Sequence, residues 1–226
     1  MLSSETVYRH RFADGRPFFQ GPGKVVCVGR NYAAHVRELG NDIPDEPLLF
    51  IKPATSLVAL DQPLVIPGRF QPCHYETEIA VLIGAPLRCA QPPQALGAVA
   101  GLGVALDLTL RELQDSLKAT GQPWEKAKAF DGSCALSHFT LYGGEDLAAI
   151  ELSLTLNGRR VQHGHSGQML FPVLDLLCRI SAFFTLLPGD VVLTGTPEGV
   201  GALAEGDQLR AELPGLIGVD TTVTYC

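Results

Sequence analysis

The stretch His74-Tyr75-Glu76-Thr77-Glu78 sets two carboxylates two residues apart at the start of an apolar run that continues to Ile83. Strand side chains alternate between faces, so Glu76 and Glu78 project to the same side, a few ångströms apart. Two like charges held that close raise one pKa unless a cation sits between them. A hard dication such as Mg2+, Mn2+ or Ca2+ prefers carboxylate oxygens and relieves the repulsion. A third carboxylate, Asp107, ends the apolar run Gly101-Leu-Gly-Val-Ala-Leu-Asp107. Burying it there is costly unless it is paired or bound to a metal. Two glutamates from one strand and an aspartate from another would occupy one face of an octahedral ion, leaving positions for water or substrate. Taken singly, each signal has a plainer description. A Glu-x-Glu pair is ordinarily a solvated strand face, and an Asp at a strand end is ordinarily a cap or turn residue. A glycosidase pair would need its carboxylates about 5 Å or more apart around a sugar. A single tryptophan supplies no cluster of aromatic platforms for that.

A second set of residues follows another apolar strand, in Gly29-Arg30-Asn31-Tyr32-Ala-Ala-His35-Val-Arg-Glu38. On a helix His35 and Glu38 share a face. A carboxylate beside imidazole fixes the tautomer and raises basicity, the arrangement a general base uses on water. On spacing alone an ordinary surface pair fits as well. Lys52 and Lys128 are either snorkelling surface lysines or anion binders. Arg111 and Gln114 lie one helical turn apart, close in sequence to Asp107. Thr194-Gly-Thr-Pro197 is either a plain turn or a loop that exposes a hydroxyl and amides to an anion. The glycines match neither a Rossmann nor a P-loop pattern, so no nucleotide site is expected.

The elements that must position these residues are mostly short strands, because 16 prolines and 24 glycines break the chain into small pieces. Strands are expected at Lys24–Gly29, Leu48–Ile51, Leu64–Ile66, Glu78–Ile83, Val104–Leu108, Leu152–Leu156, Asp190–Leu193, Gln208–Leu213 and Val219–Tyr225. Asn157-Gly158 signals a type I′ hairpin into Arg159–Gln162. Thr109-Leu-Arg-Glu112 reads as a capping box opening a helix that ends near Gly121. A second helix is expected from about Pro172 to Leu186, and a short one over Ala33–Leu39. Many strands, few helices and no βαβ rhythm predict a β-rich α+β fold, a mixed sandwich roll or barrel-like sheet. Residues 1–20 read as an N-terminal appendage with one small strand segment, and residues 21–226 as a single catalytic domain.

Of the 226 residues 46% are hydrophobic and 18% charged, enough apolar material for a sizeable core. The net charge of −7 argues against non-specific nucleic-acid binding. No apolar run reaches membrane-spanning length, and the first twenty residues lack a signal-peptide stretch, so a cytoplasmic protein is expected. The six cysteines form no C-x-x-C pair and are expected as reduced, mostly buried thiols.

In the order of these pieces the chain resembles the fumarylacetoacetate hydrolase family, in particular its small single-domain members, the acylpyruvases and their bacterial relatives. The resemblance rests on Val26-Cys-Val-Gly-Arg-Asn-Tyr32 with His35, Leu49-Phe-Ile-Lys-Pro53, His74-x-Glu76-x-Glu78 and Leu106-Asp-Leu-Thr109 with Arg111 and Gln114. It continues in Pro123-Trp-x-x-Ala-Lys128-x-Phe130 and Leu193-Thr-Gly-Thr-Pro-x-Gly-Val-Gly201. It implies the mixed β-sandwich roll of that family's C-terminal domain, a homodimer, and one Mg2+ or Mn2+ held by Glu76, Glu78 and Asp107. It implies that His35 and Glu38 are a water-activating dyad on a lid segment and that Lys128 assists them. Arg30, Tyr32, Lys52, Arg111, Gln114 and Thr194 are then substrate contacts. The implied activity is hydrolysis of a carbon–carbon bond in acylpyruvates such as acetylpyruvate or fumarylpyruvate, through a pyruvate enolate that the cation stabilises. The same site would serve an oxaloacetate decarboxylase or tautomerase, or a 2-hydroxyhepta-2,4-diene-1,7-dioate (5-carboxymethyl-2-hydroxymuconate) isomerase. A different class of reading is a non-catalytic β-rich binding protein whose carboxylates hold a structural ion. Residues 1–20 and the stretch 39–46 match no motif, so substrate preference is open.

Overall fold

The computed structural model describes residues 8–226, and residues 1–7 of the expected N-terminal appendage lie outside that range. Strands and helices are numbered in chain order. The largest sheet runs β2 (Leu48–Lys52), β1 (Val25–Gly29), β13 (Val191–Leu193), β6 (Thr77–Ile83), β7 (Val99–Asp107), β9 (Cys134–Leu136), β3 (Leu57–Ala59), with β10 (Thr140–Leu141) also paired to β7. A second sheet runs β12 (Arg159–His165), β11 (Glu151–Leu156), β15 (Gln208–Leu213), β16 (Ile217–Tyr225), β4 (Leu64–Ile66). A small third sheet joins β14 (Gly201–Ala202), β5 (Cys73–Tyr75) and β8 (Thr109–Leu110). The helices are α1 (Ala33–Glu38), α2 (Pro92–Gly97), α3 (Arg111–Ala119), α4 (Glu125–Lys128) and α5 (Val173–Phe183). This is the β-rich α+β architecture the sequence predicts. The two larger sheets are mixed: β1/β13, β3/β9 and β4/β16 are parallel, the other pairs antiparallel.

Strand β6 is buried along its whole length, which is why it reads as a continuous apolar run rather than an alternating one. Its two faces serve different cores. Ile79, Val81 and Ile83 join the larger cluster with Leu152, Leu154, Leu176 and Ile180 from the second sheet and α5. Ala80 and Leu82 join the smaller cluster with Cys27, Ala105, Leu136 and Phe139. Each fully buried Leu or Ile contributes roughly 1.5–3 kcal/mol, so burial on both faces fixes the register of this strand firmly. Glu78 continues the Ala80–Leu82 row, and Asp107 continues the row of Ala105 on β7. The acids therefore stand where the smaller cluster ends.

The hairpin at Asn157-Gly158 forms with both residues in the left-handed region, φ 50° and 78°. Three expectations are corrected. Thr109 is not a helix cap. It lies in β8, and its hydroxyl is drawn inward by the Lys128 ammonium, 2.7 Å away; α3 starts two residues later with no side-chain cap. The helix expected from Pro172 begins at Val173, with Pro172 as the extended N-cap, and ends at Phe183. Strand β7 starts at Val99 rather than Val104. The short elements β3, β5, β9, β10, β14, α2 and α4 were not anticipated. Residues 8–20 lie along the large sheet, where Phe18 packs in the smaller cluster and His10 Nε2 meets the Gly189 carbonyl at 2.9 Å. All six thiols are free, with Cys27, Cys73 and Cys134 buried and Cys89 and Cys226 exposed. No helix among the described residues is long and apolar enough to cross a membrane.

Candidate active site and metal centre

The register between β6 and β7 builds the acidic cluster. Thr77 pairs with Leu106 and Glu78 with Ala105, and the Asp107 amide donates to the Glu76 carbonyl at 2.8 Å. Glu76 and Asp107 are thus opposite one another, Glu78 is two residues along, and residues opposite across a ladder share a face. A carboxylate oxygen from each of the three lies within 4.8 Å of the others, and all three residues are buried.

Three cations answer them. Lys128 Nζ donates to Glu76 Oε2 and to Asp107 Oδ2, both at 2.8 Å. Arg111 Nη2 donates to Glu76 Oε1, and its Nη1 to Gln114 Oε1 at 2.7 Å. Lys52 Nζ stands 2.8 Å from Asp107 Oδ1 but is aimed at the Lys128 and Ser133 carbonyls, which leaves that carboxylate oxygen without a hydrogen bond. Burial pushes the Glu76 carboxyl up, but the charges of Lys128 and Arg111 outweigh it and hold it well below the usual range. Glu78 goes the other way. Burial, then the charges of Asp107 and Glu76, push it well above, against the Lys128 charge and the Gly195 amide, which donates at 2.6 Å.

An Asp107 oxygen without a hydrogen bond and a Glu78 carboxyl pushed up by its acidic neighbours mark a spot where carboxylate oxygens crowd together. A hard dication fits this all-oxygen set; a softer metal would call for nitrogen or sulfur ligands.

His35 and Glu38 meet as their spacing predicts, with Nδ1 3.0 Å from Glu38 Oε2. The other Glu38 oxygen accepts from the Gly199 amide at 2.9 Å. Helix α1 ends in a Schellman motif: Gly40 has φ 62°, its amide reaches the Arg37 carbonyl, and the Asn41 amide reaches that of Val36. Asn31 ties the start of this segment down by donating to the Thr194 and Phe171 carbonyls and accepting from the Phe171 amide.

These groups open on one cleft. Its walls bring together Glu76, Glu78, Asp107, His35, Lys128, Arg111, Gln114 and Arg30. Four of the expected residues do not line it. Glu38 stands behind His35. Tyr32 is buried with an unpartnered hydroxyl. Lys52 is wholly buried behind Asp107. Thr194 turns its Oγ1 to the Ile79 carbonyl at 3.2 Å, and the threonine that lines the cleft is Thr196.

Sequence reasoning missed Thr196, Asn41, Phe50, Lys118 and Trp124, all of which line the cleft. Gln162 was also missed: it bridges the Thr77 amide to Thr196 Oγ1 and the Pro197 carbonyl. Trp124 lay inside a recognised motif. Nothing local marks Gln162 or Lys118.

A buried oxygen-donor triad beside a histidine backed by Glu38 and a lysine, on one cleft of a mixed β-roll, is an arrangement suited to metal-assisted catalysis. Residues 24–224 match the model of the fumarylacetoacetate (FAA) hydrolase C-terminal domain, and the chain belongs to that family. It is 50% identical over 212 residues to the oxaloacetate tautomerase YcgM of Escherichia coli, covering 92% of this chain and 96% of the relative. It is 43% identical over 209 residues to the mitochondrial oxaloacetate tautomerase FAHD1 of Arabidopsis thaliana, covering 92% and 93%. Among solved structures it is similar to the fumarylpyruvate hydrolase of Pseudomonas aeruginosa in complex with Mn2+ and pyruvate, at 33% identity and a TM-score of 0.91, covering 100% of this chain and 99% of that one. The activity expected first from the sequence, acylpyruvate cleavage, is thus that of a less similar relative, and the tautomerase alternative is that of the more similar ones.

Proposed function

We propose that this protein is an oxaloacetate tautomerase that interconverts the keto and enol forms of that 2-oxo dicarboxylate. The observation that carries the reading is the convergence of Glu76, Glu78 and Asp107 beside His35, in a chain half identical to an enzyme of that name. Glu76, Glu78 and Asp107 would hold Mg2+ or Mn2+. Bound there, the ion supplies Lewis-acid polarisation of the oxo group and its neighbouring carboxylate. His35, with Nδ1 committed to Glu38, presents Nε2 as the base that takes a proton from C3. The same imidazole returns the proton to the C2 oxygen, so the conversion consumes no water. Lys128 puts a fixed positive charge beside the electron density that moves toward that oxygen. Lys52, Lys128 and Arg111 already balance the three acids.

The likeness to the Mn2+- and pyruvate-bound hydrolase supports a second reading, in which the dyad activates water and an acylpyruvate is cleaved. One experiment separates the two. Enol-to-keto conversion of oxaloacetate is followed by ultraviolet absorbance with Mn2+, beside cleavage of acetylpyruvate and fumarylpyruvate. Acceleration of the oxaloacetate conversion, abolished by a chelator and reduced about 100-fold or more in His35→Ala, is expected. Cleavage of the acylpyruvates with no acceleration of tautomerisation would replace the first reading by the second.

A further inference from the structure

We propose that Arg30 and Lys118 form a clamp at the mouth of the cleft that takes the distal carboxylate of a dicarboxylic 2-oxo acid and sets the substrate class of the site. The inference rests on the reading above for which end of the substrate faces the acids.

Four cations line the cleft: Arg30, Arg111, Lys118 and Lys128. Two are committed. Lys128 is held by Glu76, Asp107 and Thr109, and Arg111 by Glu76 and Gln114. The other two have little to answer them. Arg30 donates Nη2 to a neutral amide oxygen, Asn41 Oδ1, at 2.8 Å, and a guanidinium has five N–H groups to place. Lys118 has one acidic neighbour, Asp115, at 3.6 Å, and that carboxylate is 62% exposed. Burial pushes the Lys118 ammonium down, and Arg111 and Arg30 push it the same way against the pull of Asp115. Lys118 and Arg30 therefore line one cleft where, among the described residues, the exposed Asp115 carboxylate beside Lys118 is the one anion paired with either.

Both side chains are also held in place. Lys118 Nζ lies 5.4 Å from the centre of the Trp124 ring. Arg30 sits in the left-handed region at φ 59°, a conformation costly for a residue with a Cβ. Its partner Asn41 is the residue that closes the Schellman motif of α1. The two cations come from separate elements, the loop after β1 and the last turn of α3.

A 2-oxo acid that presents its oxo-carboxylate end to the triad has its remaining carbons directed to the rest of the cleft. A four-carbon diacid then carries a second carboxylate to the uncommitted pair. A monocarboxylic acid leaves the two like charges without a substrate carboxylate between them, which selects against it.

The test is calorimetric binding of two probes to the Mn2+-loaded protein, with loading confirmed by Mn2+ electron paramagnetic resonance. Pyruvate lacks the distal carboxylate. 3,3-Difluoro-oxaloacetate has it and has no C3 proton to lose. Lys118→Met is expected to weaken the dicarboxylate about tenfold or more, the scale of a charge-assisted hydrogen bond, and pyruvate by no more than about twofold. Lys118→Arg should restore the difference, and Arg30→Gln should repeat the loss. Equal weakening of both probes, or no change in either, overturns the clamp. Binding needs no turnover, so a protein that prefers the dicarboxylate yet leaves oxaloacetate tautomerisation unaccelerated would keep the clamp and remove the proposed activity.

Discussion

Lys52 shows how the site is charged from behind. It has no solvent exposure, its ammonium donates to the Lys128 and Ser133 carbonyls and to Ser133 Oγ, and it stands 2.8 Å from Asp107. From sequence it is one more basic residue before a proline and resembles a substrate contact. The fold makes it an internal counter-ion that joins β2 to the segment carrying Lys128. Breaking a buried ion pair by removing one partner costs about 3–5 kcal/mol, because the other charge and its dipoles stay buried. Lys52→Met is therefore expected to lower the unfolding midpoint by roughly 6–20 °C, at about 2–4 °C per kcal/mol for a domain of this size. A melting curve that superimposes on the wild type would show that Asp107 is neutralised by other means. The acids themselves were legible in the sequence because strand alternation is a local rule: Glu76 and Glu78 share a face wherever that strand goes. Lys118 and Gln162 were not, because their relevance comes from elements far apart in sequence meeting at one cleft.

At the scale of elements, α1 is six residues long with no side-chain cap, too short to be stable alone. Its position comes from its two ends and from Glu38, which bridges His35 to the Gly199 amide. Gly199 has φ 96°, and a Cβ there would meet the Val161 carbonyl oxygen at 2.0 Å. That clash is with backbone and has no cheap relief. Gly199→Ala is expected to move the loop, release Glu38 and lower kcat for oxaloacetate about 10- to 100-fold, the usual effect of losing a partner that orients a functional group. KM should change far less, since the carboxylate triad and Arg111 are untouched. A folded variant with unchanged kcat would mean that Glu38 is oriented without Gly199. Elements with a long apolar run, such as β6, or with polar and apolar residues in alternation, such as β11 and β16, could be read ahead of the structure. The two- and three-residue strands could not, because so short a run has no periodicity to detect. The Thr109 capping box failed for a different reason: the lysine ammonium competes for the hydroxyl and outbids a neutral backbone amide as a partner.

For the whole molecule, the pairing that ties β2 and β1 to the rest of the large sheet joins β1 to β13 in parallel, Val25 opposite Val191. No local pattern predicts such a contact, so the fold class could be read from the sequence while the strand order could not. The same junction carries the N-terminal stretch. His10 is buried beside Gly189, with its Nε2–H donating to that carbonyl at 2.9 Å and its Nδ1 3.2 Å from the Tyr8 hydroxyl. These partners suit the neutral ring, whose Nδ1 accepts from the tyrosine. Burial pushes the His10 pKa down, and the Gly189 carbonyl and the Asp190 charge only partly oppose it. Asp190 is itself paired with Lys24, which limits the help it gives an imidazolium. The folded protein therefore binds fewer protons at this position than the unfolded chain, and stability rises with pH across the interval between the two pKa values. The contribution is complete above the unfolded value of about 6.5 and is lost as pH falls from there toward the lower folded value. Unfolding midpoints measured from pH 8 down to 5 are expected to decline more steeply for the wild type than for His10→Gln, whose amide keeps the donor to Gly189 and takes up no proton. If the two profiles ran parallel, acid sensitivity in this range would come from elsewhere, and the N-terminal stretch would not be anchored by an uncharged histidine.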